Sequence, residues 1–376
     1  MDFQLAEEQT MFRQAVRSFA ETELKPLTAE IDKAAAFPVE LIPKMAAIDL
    51  LGMAIPEDYG GADADSLSTA IAIEEIGRVC GSTGLSLEAH TELGCVPIAR
   101  WGTAEQKRRW LPMLASGESL GVLCLTEPGA GSDLRAVQTR AVKQGDEWVL
   151  NGTKAWITNA SLADVLVVYL RTGSAYSMML VETDRAGVTI HPKEEKMGVR
   201  GSPTQQVSFD DVRVPLDNLL GVEGQGLRQT METLDGGRVS IGALSVGIAQ
   251  GALEEAIAYA KERSAFGQPI AEFQAIQWML ADGGMEIEAA RLLVYRAAWL
   301  RDQGVRFTRE AAMAKLFASE TGERVARNAI QIMGSYGYSS EYPVERMYRD
   351  ARLMTIGEGT SEVQRLVIAR QLLSLF

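Results

Sequence analysis

Glu147-Trp148-Val149-Leu150-Asn151-Gly152-Thr153-Lys154-Ala155-Trp156-Ile157-Thr158 is the stretch on which the fold turns. It is rich in β-formers, and it carries Asn-Gly, the preferred pair for a type I′ turn, so it reads as a β-hairpin. Short β-rich runs surround it at 165–170, 177–181, 187–190 and 206–209. Several short strands at this spacing suggest an antiparallel barrel or sandwich over residues 120–225.

The chain on either side reads as helical. Before the β block, Leu5, Phe12, Val16 and Phe19 recur at helical spacing with charges between them. Helical patterns resume at 66–78 and 105–114. Pro38 and Pro43 punctuate this region, and Pro56-Glu57-Asp58-Tyr59-Gly60-Gly61 reads as a loop. After the β block, Leu244, Ile248, Leu253 and Ile257 lie on a long apolar stripe, and the Ala-rich stretches 289–300 and 310–318 favour helix. Long helices of this kind form a bundle. The order is an α+β arrangement of three domains, 1–119, 120–225 and 226–376.

Bulk composition narrows the function. The 376 residues carry 37 basic and 50 acidic side chains, a net charge of −13, which argues against a phosphate backbone as the main partner. An anionic ligand held by local arginines stays open. Cys80, Cys95 and Cys124 form no Cys-x-x-Cys pair and read as free thiols in a reducing compartment. The N-terminal residues lack a basic, apolar leader, and no apolar run is long enough to span a bilayer, so a cytoplasmic location is expected. His90 and His191 are the only histidines, which excludes a His-rich metal centre; no metal-ligand spacing emerges. His191, before Pro192, reads as exposed structure.

Three stretches carry candidate chemistry. In Leu123-Cys124-Leu125-Thr126-Glu127-Pro128-Gly129-Ala130-Gly131-Ser132-Asp133, the glycines let backbone N–H groups approach a ligand, and Thr126 and Ser132 offer hydroxyls. Alone, it also reads as a surface turn. In Trp156-Ile157-Thr158, the indole could cover a flat cofactor while Thr158 donates to its edge; a core Trp in a sheet is the plainer reading. In Ile356-Gly357-Glu358-Gly359-Thr360-Ser361-Glu362-Val363-Gln364-Arg365, an acid sits between two glycines that leave room for a ligand. Alone, Glu358 also fits a helix N-terminal acid.

Taken together, these stretches resemble the acyl-CoA dehydrogenase family. The loop matches its Thr-Glu-Pro-Gly-Ala-Gly-Ser-Asp signature, Trp156-Ile157-Thr158 its flavin-contact segment, and 358–362 its C-terminal catalytic signature. Pro56–Gly61, Arg263-Ser264-Ala265-Phe266-Gly267, Gln274-Ala275-Ile276, Gln331-Ile332-Met333-Gly334 and Tyr348-Arg349-Asp350-Ala351 extend the resemblance over essentially the whole chain.

The resemblance implies an N-terminal helical domain, a middle β-domain and a C-terminal four-helix bundle. It implies FAD as cofactor, an acyl-CoA substrate, an electron-transfer flavoprotein as acceptor, and a homotetramer built as a dimer of dimers. It places Leu123, Leu125, Thr126, Ser132, Trp156 and Thr158 on the flavin half of FAD. Thr360 and Glu362 touch FAD from the catalytic side. Arg263, Phe266, Gln274, Gln331, Gly334 and Ser335 reach FAD, many across a dimer interface; Arg263 suits a pyrophosphate because its charged fork matches phosphate oxygens. Ser132, Asp235, Arg238 and Gly359 line the thioester and pantetheine path. Asp235-Gly236-Gly237-Arg238 is expected to open a helix with its polar groups towards the ligand, a plain capping role for Asp235 being the competing reading. Glu358 is the implied base for the Cα proton, flavin N5 taking a hydride from Cβ. Some family members carry the base just before the equivalent of Arg238; here that position is Gly237.

The sequence also departs from the pattern. Gly357 replaces a common Tyr before the acid, which gives room for a bulkier or branched acyl group. Leu123 replaces a frequent aromatic. Glu88, His90 and Glu92 fall where the family builds the far end of its acyl pocket, which suits a polar or carboxylated acyl group; solvated helix-end residues are the alternative. A carrier-protein-bound thioester, a flavin oxidase or monooxygenase, and an inactive scaffold are the competing functions.

Overall fold

The computed structural model describes residues 4–374. Helices come first: α1 (Glu7–Phe19), α2 (Thr28–Ala34), α3 (Ile42–Ala46), α4 (Ser66–Val79), α5 (Gly81–Glu88), α6 (Val96–Trp101) and α7 (Ala104–Ser116). A π-helical segment, Ala89–Cys95, joins α5 to α6. Asp65 caps α4 by accepting from the Ser68 N–H, and Thr103 with Gln106 forms a capping box on α7. Leu5 lies just before α1 rather than on its stripe.

Eight strands follow: β1 (Leu123–Cys124), β2 (Arg140–Gln144), β3 (Glu147–Thr158), β4 (Val165–Thr172), β5 (Ala175–Glu182), β6 (Val188–Lys193), β7 (Thr204–Pro215) and β8 (Leu219–Leu220). They form one sheet, ordered β6-β7-β3-β2-β4-β5-β8, with β1 also on β4. Most pairings are antiparallel, but β1–β4 and β2–β4 are parallel, which the expectation of a purely antiparallel sheet did not contain. Strand β4 is buried on both faces. Leu166, Val168 and Leu170 enter the core between the sheet halves, while Val165 and Val167 pack towards Trp110, Leu111 and Leu114 of α7.

The expected hairpin at 147–158 is one continuous strand. Its register slips at Leu150/Gly152, so Asn151-Gly152 marks a bulge rather than a turn. A Cβ at Gly152 would fall 2.4 Å from Thr139 Oγ1 and 2.6 Å from Thr139 Cα. Glycine is required there by close backbone approach. The true turn, at Gly145-Asp146, joins β2 to β3. His191, expected to be exposed, is half-buried on β6 and bonds Ser208 Oγ at 2.8 Å.

The remaining helices are α8 (Gly226–Glu262), α9 (Gln274–Asp302), α10 (Thr308–Met333), α11 (Val344–Met354) and α12 (Ser361–Leu373), with the two-stranded hairpin β9 (Ser264–Ala265) and β10 (Gln268–Pro269) after α8. Helix α8 has 37 residues, roughly 55 Å at the α-helical rise. It is long and apolar enough to cross a membrane, yet 72% of that window is buried inside the fold, as in a core helix. Gly247 and Gly251 set α8 against α4: Cβ atoms there would lie 2.2 Å from Glu74 O and 2.1 Å from Arg78 O. The two helical regions therefore share one apolar core, running from Val16 and Phe19 through Ile73 and Leu244 to Val294 and Ala318.

Candidate active site

Helix α11 stops at Met354, and the turn before α12 contains two consecutive left-handed residues, Glu358 (φ 51°) and Gly359 (φ 92°). Left-handed backbone at a non-glycine residue costs about 1–3 kcal/mol and persists only where the surroundings enforce it. Here two buried side chains do so. Lys315 of α10 donates to Gly359 O at 2.7 Å, and Gln364 of α12 donates to Gly359 O at 2.9 Å and to Glu358 O at 3.3 Å. Thr360 caps α12 by accepting from the Val363 N–H. Glu358 thus precedes the cap and is no helix N-terminal acid.

This backbone turns the Glu358 carboxyl inwards. The residue is half-buried, but Oε2 is enclosed and meets no hydrogen-bond donor. Burial pushes its pKa up to about 7; the nearby Glu92 adds to the rise, while Glu88, Lys315 and Arg238 oppose it. Burial likewise lowers Lys315 to about 8, against the pull of the Glu358 charge.

Glu88, His90 and Glu92 are all buried, which overturns the solvated helix-end reading. His90 and Glu92 lie on the π-helical segment, and Glu88 is the last residue of α5. His90 accepts from the Gly121 N–H at Nδ1 (2.8 Å) and meets Leu51 O at Nε2 (3.0 Å), so it staples two backbone segments. Burial holds it down to about 4, hence neutral. Glu92 takes both bonds of Arg301 Nη1, at 2.8 and 2.9 Å. Glu88 lies against the Glu358 carboxyl, and burial raises it well above the usual carboxylate range. The cations near these acids are engaged: Arg301 with Glu92, Arg238 with Asp235, and Lys315 with Gly359 O.

The run 235–238 does not open a helix; it lies in the third turn of α8, which starts at Gly226. Nor does Asp235 cap it. Asp235 Oδ1 accepts from Arg238 and Oδ2 accepts from Thr308 Oγ1 at 2.6 Å, so the two expected pantetheine contacts face each other. Arg238 Nε, buried, keeps no acceptor. Gly236 and Gly237 make room for the acids. A Cβ at 236 would fall 2.6 Å from Glu92 Oε2, and one at 237 would fall 2.0 Å from Glu358 Oε2.

The glycine loop is anchored from beneath. Glu127 accepts from the Gln138 N–H at 2.6 Å, the Thr139 N–H at 2.9 Å and the wholly buried Lys154 at 2.9 Å. Lys154 also donates to Leu125 O at 2.9 Å. Burial alone would raise Glu127; these donors hold it below its ordinary value. The loop closes through paired backbone bonds between Glu127 and Ala130. Its tip is open, with no atom within 4 Å of where a Cβ on Gly129 or Gly131 would lie, and Ser132 is exposed.

Strand β3 runs beside this loop, tied by the Ala155 N–H to Thr126 O at 2.8 Å. Its second register shift, at Lys154/Ile157, ejects Trp156. That indole has φ 61° and is 59% exposed, so it is not the core Trp of the plainer reading. Thr158 and Leu125 are half-buried beside it, and Leu123 packs in the core. An exposed indole next to an open, rigidly founded glycine loop fits a flat ring bearing hydrogen-bonding edges.

The other implied FAD residues gather elsewhere. Arg263 closes α8, Phe266 tips the β9–β10 turn, Gln274 starts α9, and Gln331, Gly334 and Ser335 end α10. All are exposed, Phe266 at 98%. From Gly237 to the end of α8 is 25 residues, roughly 38 Å. These six do not surround the Glu358 pocket of their own chain. Glu362, in the first turn of α12, is exposed.

Lys154, Lys315 and Gln364 escaped the sequence reading. A signal existed for the two lysines. Lys154 is in phase with the inward-facing Trp148 and Leu150, and Lys315 lies among Ala311, Ala312, Ala314 and Ala318 on a buried helix face.

Residues 6–118, 122–212 and 224–373 match, in turn, the N-terminal, middle and C-terminal domains of acyl-CoA dehydrogenase. The chain belongs to the acyl-CoA dehydrogenase family. It is 54% identical to the probable acyl-CoA dehydrogenase YngJ of Bacillus subtilis, over 99% of this chain and 100% of that protein. It is 47% identical to the short-chain specific acyl-CoA dehydrogenase of Clostridium acetobutylicum, over 98% and 99%. Among solved structures, one described as the electron transferring flavoprotein of Acidaminococcus fermentans, towards a mechanism of flavin-based electron bifurcation, superposes with a TM-score of 0.97. It is 45% identical, over 99% of this chain and 100% of that one.

Proposed function

We propose that the protein is an FAD-dependent acyl-CoA dehydrogenase that desaturates short, uncharged acyl thioesters between Cα and Cβ and passes electrons to an electron-transfer flavoprotein. The carrying observation is the Glu358 carboxyl: enclosed, without a donor at Oε2, held by a strained turn, and with burial pushing its pKa to about 7. A base tuned near the working pH combines availability with proton affinity.

The chain's residues divide the work. Glu358 takes the Cα proton on its free oxygen. The backbone N–H of Glu358 has no acceptor among the described residues, which leaves it to polarise the thioester carbonyl as charge develops there. Lys315 and Gln364 fix that N–H by holding the adjacent carbonyls. Thr126, Ser132, Trp156 and Thr158, founded on Lys154 and Glu127, would hold the flavin ring, with Thr360 and Glu362 on the catalytic side. FAD, when bound, supplies the two-electron acceptor for the Cβ hydrogen. Arg238, Asp235, Ser132 and Gly359 would line the thioester and pantetheine path.

The exposed set at the far end of α8 suits a second subunit's dinucleotide, Arg263 on phosphate and Phe266 on a ring. Helix α9 adds a stripe at heptad spacing, Trp278, Met285, Leu292 and Trp299, each at least 50% exposed. Large apolar groups in such a row favour burial against another copy, in keeping with a homotetramer. The free, buried thiols suit a reducing compartment, and we place the protein in the cytoplasm.

Anaerobic addition of a panel of acyl-CoAs to the yellow holoenzyme tests this reading. Bleaching by short acyl-CoAs, abolished in Glu358→Gln with FAD retained, is expected. A flavin that no acyl-CoA bleaches overturns it.

A further inference from the structure

One wholly buried acid has no part in the chemistry above. Glu88 ends α5, is 0% exposed, and neither carboxyl oxygen meets a donor. Its carboxyl neighbours the Glu358 carboxyl, whose Oε2 is equally enclosed and without a donor. Two ionised carboxylates are acceptors only and repel, so a buried contact of this kind requires a proton on one of them.

The charged surroundings decide which. Glu88 faces two acids, Glu358 and Glu92, and neither of its oxygens meets a cationic donor among the described residues. Glu358 faces Glu92 from the π-helical segment, but also Lys315 of α10 and Arg238 of α8, both of which favour its ionised form. With Lys315 bonded to the neighbouring Gly359 O at 2.7 Å and no donor on either oxygen of Glu88, the shared proton is best placed on Glu88, which then becomes a donor.

We propose that Glu88 is a positioning residue for the base, its protonated carboxyl donating a hydrogen bond that orients the Glu358 carboxylate beside Gly237 and keeps it ionised. This rests on the reading of Glu358 as the base. The proton count is simple. The resting pair carries one proton, on Glu88; abstraction adds the Cα proton to Glu358; that proton leaves to solvent before the next turnover, while Glu88 keeps its own. The hydrogen bond is charge-assisted and opposes the rise that burial imposes on Glu358.

The test uses holoenzyme with Glu88→Gln, Glu88→Leu and Glu358→Gln. Glutamine keeps a donor, so the acid limb of the kcat/KM profile should stay within half a pH unit of the wild type. Leucine has none, so the limb should move up by about one unit, with about fivefold lower activity at pH 7. Infrared spectra of resting holoenzyme at pH 8 give a readout independent of turnover: a buried carboxylic acid band present in the wild type and lost in Glu88→Gln. An unmoved limb in Glu88→Leu, or a band that persists in Glu88→Gln, overturns the proposal. Should Glu88→Leu not fold, the infrared comparison decides alone. An active Glu358→Gln would instead remove the base assignment itself, so the two failures are distinguishable.

Discussion

A Cβ on Gly237 would lie 2.0 Å from Oε2 of Glu358, inside any permitted contact. Helix α8 can pass the buried acid only because that position has no side chain. Gly237→Ala should therefore displace the carboxyl. Alanine's higher helix propensity, worth about 1 kcal/mol, offsets part of the crowding at this buried position, so the fold should be retained. A displacement near 1 Å costs about 10²-fold in rate. Stopped-flow bleaching should fall by at least that factor while FAD content holds; unchanged bleaching would mean that Glu358 is free to move.

Lys154 and Glu127 form a buried pair beneath the glycine loop, at 2.9 Å. Removing one partner of such a pair costs about 3–5 kcal/mol, because the other charge is left uncompensated. Lys154→Met should lower the melting temperature and loosen FAD, and Lys154→Met/Glu127→Gln should recover part of the stability. A double variant no better than the single would show that the loop's backbone bonds dominate instead.

The pH dependence of stability has a definite sign. Glu358 has its folded pKa raised to about 7, above its ordinary 4.5. Between those values the folded state binds more protons than the unfolded one, so this group lowers stability as pH rises through the window. Glu358→Gln should thus melt higher than the wild type at pH 7.5, with the difference shrinking towards pH 5. A difference that is constant with pH would contradict the raised pKa. Activity runs oppositely, rising through about pH 7 as the base ionises.

Glu88 and Glu92 offer no cation to the inner pocket, and Arg301 and Arg238 are engaged with Glu92 and Asp235. An acyl group ending in a carboxylate should be disfavoured. Glutaryl-CoA should reduce the flavin at least tenfold less efficiently than butyryl-CoA, measured as kcat/KM. Comparable values would require an arginine pair to open.

The α9 stripe should govern assembly. Trp278→Lys with Leu292→Lys should give smaller species in sedimentation without lowering secondary structure, since both side chains are at least half-exposed in the single chain. An unchanged sedimentation profile would place the interface elsewhere.

Much of the architecture was legible because it depends on local pattern. The short β-rich runs at 165–170 and 177–181 mark β4 and β5, and the stripe through Leu244 and Ile248 marks α8. The errors fall where a local signal has two tertiary outcomes. Asn151-Gly152 suits a hairpin turn, but Thr139, just before β2, lies so close that the pair forms a bulge instead. Asp235 suits a helix start, but the helix had begun at Gly226. Glu88 and Glu92 suit solvent, but both are buried, one ending α5 and the other on the π-helical segment that follows it.

The sequence by itself determined the order of helical and β segments, the family, and Glu358 as the candidate base, because these follow from residue types at short spacing. Only the tertiary structure decided what that base would be. Its pKa near 7, its strained backbone and its contact with Glu88 arise where α5, α8, α10 and the turn before α12 converge. Desolvation and charge pairing depend on distances between residues up to 270 positions apart, as from Glu88 to Glu358, and no local pattern encodes those distances.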